Sequence, residues 1–431
     1  MKSDDLRINV YGDSLESWAI AACLAQSDFK TSICKGPESE VSIKVNQTYS
    51  EPNLDLLIDD MLSSGKLSMK QTLFNKANIH WIVYKGKSLD QLLKFILLLC
   101  DNSIPQKIII TTNLGVGTHD FISSNIQQTA INESFSLCHE LITIPTFIRE
   151  GSAIKDFYSP PLLLIGTDSI EAKNTATYLL EKTFEKAGNT RLLSGSEVEV
   201  VNNAVSAFLA MRVSFVNELA NLIEEQQLSF SAIIEAMSCD PRFGNIYNQA
   251  GCGFGGIALE QSVSNIQDLF KNSESGSLMM KATLDINNDQ KDILFRKFWQ
   301  FYNSDISGKR VVIWGASFRA NTASLTNSPV INLVNALGSE NVEVHIYDPV
   351  AFENFADSEY FDFPITITKS LYEATENADA LFIVTDWEEF KAADFVKLKN
   401  KLKKPVIFDG RNLYEPEEVK RNGLHYFGIG Q

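Results

Sequence analysis

The chain has 431 residues, a formal net charge of −16 and an isoelectric point near 4.9. Its share of 44% hydrophobic and 21% charged residues is ordinary for a globular protein, and its length predicts about two or three domains. The acidic charge argues against nucleic acid or an anionic membrane as the main partner, because either would need a basic face. We see no signal peptide, and the apolar run 95–100 is too short to span a bilayer, so we expect a cytoplasmic protein.

The cysteines stand far apart, at positions 23, 34, 100, 138, 239 and 252. They include no C-x-x-C pair and have no histidine at metal-ligand spacing. The pattern therefore predicts neither a metal site nor a disulfide framework, and most of these residues are expected in the core.

The first block of the chain, residues 1–195, alternates β-type apolar runs with longer helical patterns. The predicted strands include 6–11, 80–84, 107–112 and 162–165. Such alternation predicts a parallel sheet covered by helices.

A long helix is predicted next, beginning at a capping box formed by Ser196 and Glu199 and continuing to about residue 227 without proline or glycine. Apolar residues recur on it at steps of three and four, among them Phe208, Met211, Phe215, Leu219 and Leu222. We assign residues 196–305 to a small helical dimerisation domain.

The third block, residues 306–431, repeats the strand–helix alternation, with predicted strands at 310–315, 342–348, 381–385 and 406–409. The predicted fold class is therefore α/β, with two doubly wound Rossmann-like domains joined by the long central helix and the small helical domain.

A glycine-rich segment, 248–262, stands out between these blocks. The backbone at Gly251, Gly253, Gly255 and Gly256 can adopt angles that other residues avoid and can approach a ligand without an intervening Cβ. No nucleophile or ionisable base follows the last glycine pair at the expected distance. The segment is typical of an active-site loop whose reacting groups are absent.

This segment resembles the catalytic loop A-G-P-G-Y-G-G-S-C-F-P-K-D of the UDP-glucose/GDP-mannose dehydrogenase family. The resemblance covers the whole chain and is densest at 208–218, 240–244 and 406–414. Set on the family pattern, Ala258 occupies the position of the nucleophilic cysteine. Gln261 and Ser262 replace the lysine and the aspartate.

The resemblance implies an NAD-dependent oxidation of a UDP-sugar alcohol to a carboxylate, through a thioester on the cysteine. The family's other reacting positions are also changed. Its helix lysine and asparagine fall on Asn202 and Ser206, its threonine falls on Asn113, and its first glutamate falls on Thr146, whereas Glu150 is retained. Cys252 could be a relocated nucleophile, but a loop cysteine without a nearby base is the favoured interpretation.

The dinucleotide site implied by the resemblance is also degenerate. Only Gly12 remains of the glycines expected where the first strand turns into its helix, and Ser14 carries a side chain where backbone should approach phosphate. Asp13 and Glu16 add negative charge that faces the ligand. Lys35 replaces the acid at the end of the second strand, which would favour NADP over NAD, yet we expect a Rossmann shape without tight dinucleotide binding.

The substrate side is better preserved. Arg242, Arg319 and Arg411 match positions that the family associates with nucleotide-sugar binding, and Gly253, Phe254, Gly255 and Gly256 complete the predicted substrate-binding set. By this resemblance, Arg242 matches the family arginine that reaches across a dimer interface toward the neighbouring subunit's substrate. Against this, the arginine of the family's T-D-D-x-R-x-S-P run is Thr326. The arginines could alternatively be inherited surface residues without a ligand.

Three functions follow. The favoured one is a catalytically inactive homologue that binds a UDP-sugar and forms a homodimer, or a heterodimer with an active homologue, in surface-polysaccharide precursor metabolism. The second is an active NAD(P)-dependent oxidoreductase with a cysteine-free mechanism. The third is a purely structural partner.

Overall fold

A computed structural model describes residues 6–38, 51–70, 77–100, 106–132, 139–184, 189–271, 276–351 and 360–431. The chain divides into two compact units, an N-terminal unit of residues 1–204 and a C-terminal unit of residues 205–431. The boundary falls inside a long helix, α7 (Gly195–Glu225). Cys138 lies outside these ranges.

The N-terminal unit is built on an eight-stranded sheet in the order β3-β2-β1-β4-β5-β6-β7-β8. Neighbouring strands are parallel except for β6 and β7. The strands are β1 (Arg7–Tyr11), β2 (Lys30–Cys34), β3 (Leu67–Lys70), β4 (Ile79–Tyr84), β5 (Lys107–Thr112), β6 (Glu140–Thr143), β7 (Leu162–Gly166) and β8 (Asn189–Leu193).

Helices cover both faces of this sheet because successive side chains of a strand point to opposite faces. In β4, Trp81 and Val83 pack into one core, whereas Ile82 and Tyr84 pack into the core on the other side. The helices are α1 (Leu15–Gln26), α2 (Leu54–Ser63), α3 (Leu89–Cys100), α4 (Thr118–Asn132), α5 (Ala153–Tyr158) and α6 (Ile170–Thr183).

The capping box of α7 lies two residues earlier than predicted. Ser194 and Glu197 exchange hydrogen bonds, with the Ser194 N–H donating to Glu197 Oε2 at 2.8 Å and the Glu197 N–H donating to Ser194 Oγ at 3.4 Å. Ser196 instead donates to Asp120. The prediction was wrong because the S-x-x-E pattern occurs twice in succession, and the first copy begins the helix.

The C-terminal unit contains the rest of α7, a helical segment and a second sheet. Its helices are α8 (Phe230–Ser238), α9 (Ala258–Phe270), α10 (Leu278–Lys291), α11 (Ile293–Phe301), α12 (Pro329–Ser339), α13 (Leu371–Ala374), α14 (Glu388–Lys391), α15 (Phe395–Lys401) and α16 (Pro416–Arg421). Its strands are β9 (Arg310–Trp314), β10 (Glu343–Tyr347), β11 (Ile365–Ile367), β12 (Ala380–Ile383), β13 (Val406–Asp409) and β14 (His425–Phe427).

This second sheet is parallel, in the order β11-β10-β9-β12-β13-β14. The strand order reverses between β9 and β12, and open α/β sheets bind ligands outside the carboxyl ends of strands at such a reversal. The loops after β9, β12 and β13 are therefore the places in this unit where ligand-binding side chains are expected.

The predicted α/β class is confirmed, with two mostly parallel sheets and helices around them. The three predicted domain boundaries, 1–195, 196–305 and 306–431, remain a prediction. Of the helices in the described ranges, none combines the length and hydrophobicity of a membrane span. The same ranges contain no cluster of three or more candidate metal ligands.

Candidate functional site

The glycines of the 251–256 segment, here called the glycine loop, lie against other parts of the C-terminal unit. A Cβ on Gly255 would lie 2.7 Å from Asn327 O, and a Cβ on Gly256 would lie 2.9 Å from the Phe318 ring. Gly253 and Gly256 also have positive φ angles of 92° and 78°. Glycine is thus required here for packing against the protein itself.

Three amide side chains hold the glycine loop. The N–H of Gly251 donates to Asn217 Oδ1 at 2.9 Å, and Gln290 Nε2 donates to the Gly251 carbonyl at 2.7 Å. Asn287 accepts from the Phe254 N–H at 2.8 Å and donates to the Phe254 carbonyl at 3.2 Å. Asn217, Asn287 and Gln290 are each about 1% exposed, so these bonds fix the loop in one conformation.

The far end of the loop is fixed by the segment after β9. The Gly256 N–H donates to the Thr326 carbonyl at 2.8 Å, and Asn327 Nδ2 donates to the Gly256 carbonyl at 3.2 Å. The same amide donates to Glu260 Oε2 at 2.8 Å. The position of the family's missing arginine, Thr326, therefore contributes its backbone to the loop.

Arg411 contacts the glycine loop from the carboxyl end of β13. Its Nε donates to the Val384 carbonyl at 2.6 Å and its Nη1 donates to the Gly253 carbonyl at 3.4 Å. Arg319 follows β9, directly after the Phe318 side chain that packs against Gly255 and Gly256. Arg319 thus follows a strand at the reversal in strand order, where the sheet architecture places ligands, and Arg411 follows β13, one strand beyond the reversal.

Arg242 is placed differently. Its side chain is 89% exposed and forms a bidentate ion pair with Asp240, with an Nη2–Oδ2 distance of 2.5 Å. This pairing raises the pKa of Arg242 and lowers the pKa of Asp240. Arg242 is therefore a surface cation that its own carboxylate neighbour orients.

The residues that the predicted alignment sets on the family's reacting positions lie at the start of α9. Ala258 is the first residue of that helix and is exposed, and Ser262 is buried one turn later. The Gln261 side chain donates to Asn265 at 2.9 Å. A methyl group and neutral polar groups therefore stand where the family pattern has a thiol, an ammonium and a carboxylate.

Cys252 lies inside the loop and is fully buried against Gly410. Its N–H donates to the Gly410 carbonyl at 2.9 Å, and burial raises the pKa of its thiol. A thiolate is the reactive form of cysteine, so this environment opposes nucleophilic attack by Cys252.

Asn287, Gln290 and Lys291 are residues that the sequence reasoning missed. They are buried at steps of three and four on α10, within a polar run, Asn287-Asn-Asp-Gln-Lys291. Such a run is normally a solvated helix face. The sequence signal that could have identified these residues is that the inward-facing positions of this run carry no apolar side chains.

In the N-terminal unit, the turn after β1 is narrow. Gly12 has a φ of 141°, and a Cβ there would lie 2.9 Å from Val83 O. Ser14 is the N-cap of α1 and accepts from the Ser17 N–H at 3.3 Å, and Lys35 directly follows β2, half-buried. The cleft at this turn is lined by Gly12, Asp13, Ser14, Gly36, Pro37, Glu38 and Val83.

The charges at this turn differ from the sequence prediction. Glu16 does not face the cleft as a free anion, because it is buried in an ion pair with Lys85. A different acid, Glu38, accepts hydrogen bonds from the backbone N–H groups of Lys85 and Gly86 at the end of β4. No local sequence signal identifies Glu38, because the residues it binds are 47 and 48 positions away.

A pyrophosphate does not fit this arrangement well. The α1 N-terminus already has a serine cap, and two acidic residues, Asp13 and Glu38, are among those that line the cleft. Anions bind at helix N-termini through free N–H groups and the positive end of the helix dipole. Here the Ser14 cap occupies one of the free N–H groups, and the two acids oppose the positive end of the helix dipole.

Known proteins resemble this chain along most of its length. Profiles of the UDP-glucose/GDP-mannose dehydrogenase family match at residues 196–289, as the central domain, and at residues 312–416, as the UDP binding domain. The UDP-glucose 6-dehydrogenase TuaD of Bacillus subtilis is 30% identical over 326 residues, which are 75% of this chain and 69% of that protein. The chain belongs to the UDP-glucose/GDP-mannose dehydrogenase family.

Other family members extend the similarity to the whole chain. A UDP-glucose 6-dehydrogenase of Pseudomonas aeruginosa is 27% identical over 443 residues, covering 99% of this chain and 98% of that protein. The structure of a UDP-glucose dehydrogenase from Pyrobaculum islandicum matches with a TM-score of 0.85 at 19% identity, covering 100% and 99% of the two chains. That structural match supports the fold alone.

The remaining family positions lie in the N-terminal unit and on α7. Asn113 follows β5, and Thr146 and Glu150 follow β6, so all three stand after the carboxyl ends of parallel strands. The Thr146 Oγ1 atom is enclosed without a hydrogen-bond partner among the described residues. Asn202 and Ser206 are half-buried on α7.

A buried acid, Glu199, lies in the first turns of α7. Glu199 accepts hydrogen bonds from the N–H groups of Gly117 and His119, each at 2.7 Å, at the start of α4. Burial raises its pKa to about 7, although these hydrogen bonds oppose the shift. Its two short backbone contacts make Glu199 a cap of α4 with a fixed geometry.

Proposed function

We propose that this member of the nucleotide-sugar dehydrogenase family binds a UDP-sugar and does not oxidise it. One observation carries the proposal: the glycine loop is completely built and held by buried amides, while residue 258 beside it is alanine. Loop preorganisation lowers the entropy cost of ligand binding and does not depend on a nucleophile.

Retained binding is supported by the cations around the loop. Arg411 is oriented by two backbone carbonyls, and Arg319 follows the strand at the point where strand order reverses. Arginine makes charge-assisted contacts to phosphate oxygens, so the two side chains suit the diphosphate of a UDP-sugar. Two features support the loss of dehydrogenase activity. The family's reacting residues are replaced at Asn202, Ser206, Ala258 and Ser262, and the turn in which NAD or NADP would bind is acidic.

We further propose that the protein works as a dimer, either with a second copy or with an active homologue in surface-polysaccharide precursor metabolism. Phe208, Phe215 and Leu222 are 56%, 48% and 53% exposed at intervals of seven residues along α7. Leu219 packs partly into the core instead. A stripe of large apolar side chains at heptad spacing is typical of a helix that packs on another helix.

The activity test is incubation with UDP-glucose and NAD, read by the absorbance of the reduced cofactor. We expect no NADH and no UDP-glucuronate. Ala258→Cys alone should remain inactive, because catalytic groups act as a unit and the thiol would lack the partners at Asn202, Ser206 and Ser262. Steady NADH production by the wild-type chain would establish the alternative, an oxidoreductase with a cysteine-free mechanism.

The binding test is calorimetric titration with UDP-glucose, UDP, NAD and NADP, together with thermal unfolding. A ligand that binds only the folded state raises the melting temperature. We expect stabilisation by UDP-glucose and UDP. If none of these ligands binds, the chain is a structural partner and the proposal of UDP-sugar binding is wrong.

The assembly test is the molar mass by light scattering at micromolar concentration. Wild type should be a dimer, and Phe215→Asp should shift the mass toward the monomer because it places a charge within the apolar stripe. A monomeric wild type would contradict the dimer proposal without affecting the activity and binding tests.

A further inference from the structure

A buried lysine lies against the glycine loop and has no role in the arrangement described so far. Lys291 is the last residue of α10 and is 6% exposed. A Cβ built on Gly253 would lie 3.1 Å from Lys291 Cγ, so the lysine stem packs directly against the loop. It follows Gln290, whose amide fixes the Gly251 carbonyl, and the position of its stem is therefore well determined.

The ammonium group has no partner within the described ranges. No hydrogen bond or ion pair of Lys291 is present there, whereas the buried Lys297 on α11 is paired with Glu224. The carboxylates of Glu260 and Asp292 influence Lys291 only through their field, and burial lowers the pKa of its ammonium group. Buried charges are normally paired, because desolvation without a partner is costly.

Two further features point to an anion as the missing partner. The loop carbonyl of Gly253 is held by Arg411, so two cationic side chains contact the same glycine. Lys291 is also not completely enclosed, because 6% of its surface remains exposed to solvent. A cation that is fixed, unpaired and accessible can bind anionic oxygen without first breaking an ion pair.

We propose that Lys291 is an anion-recognition residue of the nucleotide-sugar site, contacting a negatively charged group of the ligand beside Gly253. This inference rests on the proposed binding function. The anionic oxygen can come from the diphosphate or from the carboxylate of a UDP-linked uronic acid. Both are recognised by the same chemistry, and ligands that differ in one charge distinguish them.

The experiment titrates the full-length wild type, Lys291→Met and Lys281→Met with uridine, UDP, UDP-glucose and UDP-glucuronate at one ionic strength. Lys281 is an exposed lysine on the same helix and serves as the matched control. If the diphosphate is the partner, Lys291→Met should weaken the binding of UDP about ten-fold or more relative to the binding of uridine. An equal loss of affinity for UDP-glucuronate relative to UDP-glucose would identify the sugar carboxylate as the partner.

The proposal would be overturned if Lys291→Met changed neither the ratio of UDP to uridine affinity nor the ratio of UDP-glucuronate to UDP-glucose affinity. An equal loss for all four ligands, including uridine, would also overturn it, because Lys291 would then support the loop or the C-terminus of α10 without contacting an anion. Lys291→Gln is the second variant if Lys291→Met does not fold. If wild type binds UDP but the ratios do not change, the inference fails alone, whereas absence of wild-type binding also removes the proposed function.

Discussion

The glycine loop and the loops of the N-terminal sheet are fixed with different chemistry. Neutral amides hold the glycine loop, and the cation Arg411 donates to its Gly253 carbonyl. In the N-terminal unit, carboxylates hold the loops after β4, β5 and β6, where Glu38, Glu199 and Glu51 accept from backbone N–H groups. Both solutions satisfy polar backbone groups, but only the carboxylates add negative charge to the loops that they hold.

This difference affects how each set of loops can accept an anionic ligand. A carboxylate on backbone N–H groups uses the same donors that an anionic cofactor would need and adds negative charge. An amide fixes the backbone and adds no net charge. We therefore expect anionic ligands to favour the glycine loop over the loops of the N-terminal sheet.

Removing an amide from the glycine loop should have the largest effect. Asn287→Ala leaves the N–H and the carbonyl of Phe254 without partners, which should reduce the free energy of unfolding by about 2–3 kcal/mol and weaken UDP binding. Asn288→Ala, an exposed change on the same helix, should do neither. Urea unfolding and UDP titration measure the two effects. Equal stability of both variants would show that the amide does not fix the loop.

Arg411→Ala should weaken UDP-sugar binding by about 1–3 kcal/mol, the scale for losing a charge-assisted contact. The matched control is Arg421→Ala, which removes an exposed arginine from α16. Titration with UDP-glucose at fixed ionic strength compares the two. A loss shared by both arginines would assign the effect to net charge and not to the site.

Arg242→Ala tests whether one subunit contributes to the UDP-sugar site of its neighbour. The family pattern assigns this arginine to a neighbouring subunit's site, so a loss of about 1–3 kcal/mol in UDP-sugar binding is expected only where the protein is dimeric. Its exposed ion pair with Asp240 implies little effect on folding. Titration at two protein concentrations, above and below dimer dissociation, is the measurement. Equal affinities of wild type and Arg242→Ala in the dimer would remove the shared-site idea.

The carboxylate Glu199 predicts a pH dependence for the N-terminal unit. Its folded-state pKa, about 7, is raised above the unfolded value, so folding favours the protonated form. Stability should therefore fall by about 1–3 kcal/mol as pH rises from about 4.5 to about 7. Glu199→Gln should remove this slope, whereas Glu197→Gln, an exposed carboxylate on the same helix turn, should keep it. Denaturant unfolding across this pH range gives the answer.

The smallest effect concerns the dinucleotide turn. Replacing Glu38 with glutamine and Asp13 with asparagine removes two negative charges from the cleft and should strengthen NAD binding by about 0.5–1 kcal/mol per charge. Glu181→Gln on α6 is the control for net charge. Calorimetric titration with NAD is the measurement. No gain from the double variant would mean that the shape of the turn, and not its charge, prevents binding.

The order of elements could be predicted because strand periodicity and turn residues are local. The strands at 107–112 and 406–409 were predicted with the observed bounds, and β1 and β4 differ by one residue. The capping box was misplaced because two overlapping patterns satisfy the same local rule. Strands such as β3 and β14 were not predicted, since three or four residues give too little periodicity.

By itself, the sequence determined the α/β class, the family and the absence of a cysteine at residue 258, because motif order and residue identity are properties of the chain alone. Only the tertiary structure decided which groups neighbour the glycine loop and the dinucleotide turn. Asn217, Gln290 and Lys291 meet Gly251 and Gly253 across 34 to 39 positions. Side chains so distant in sequence come together through helix packing, which residue spacing does not encode.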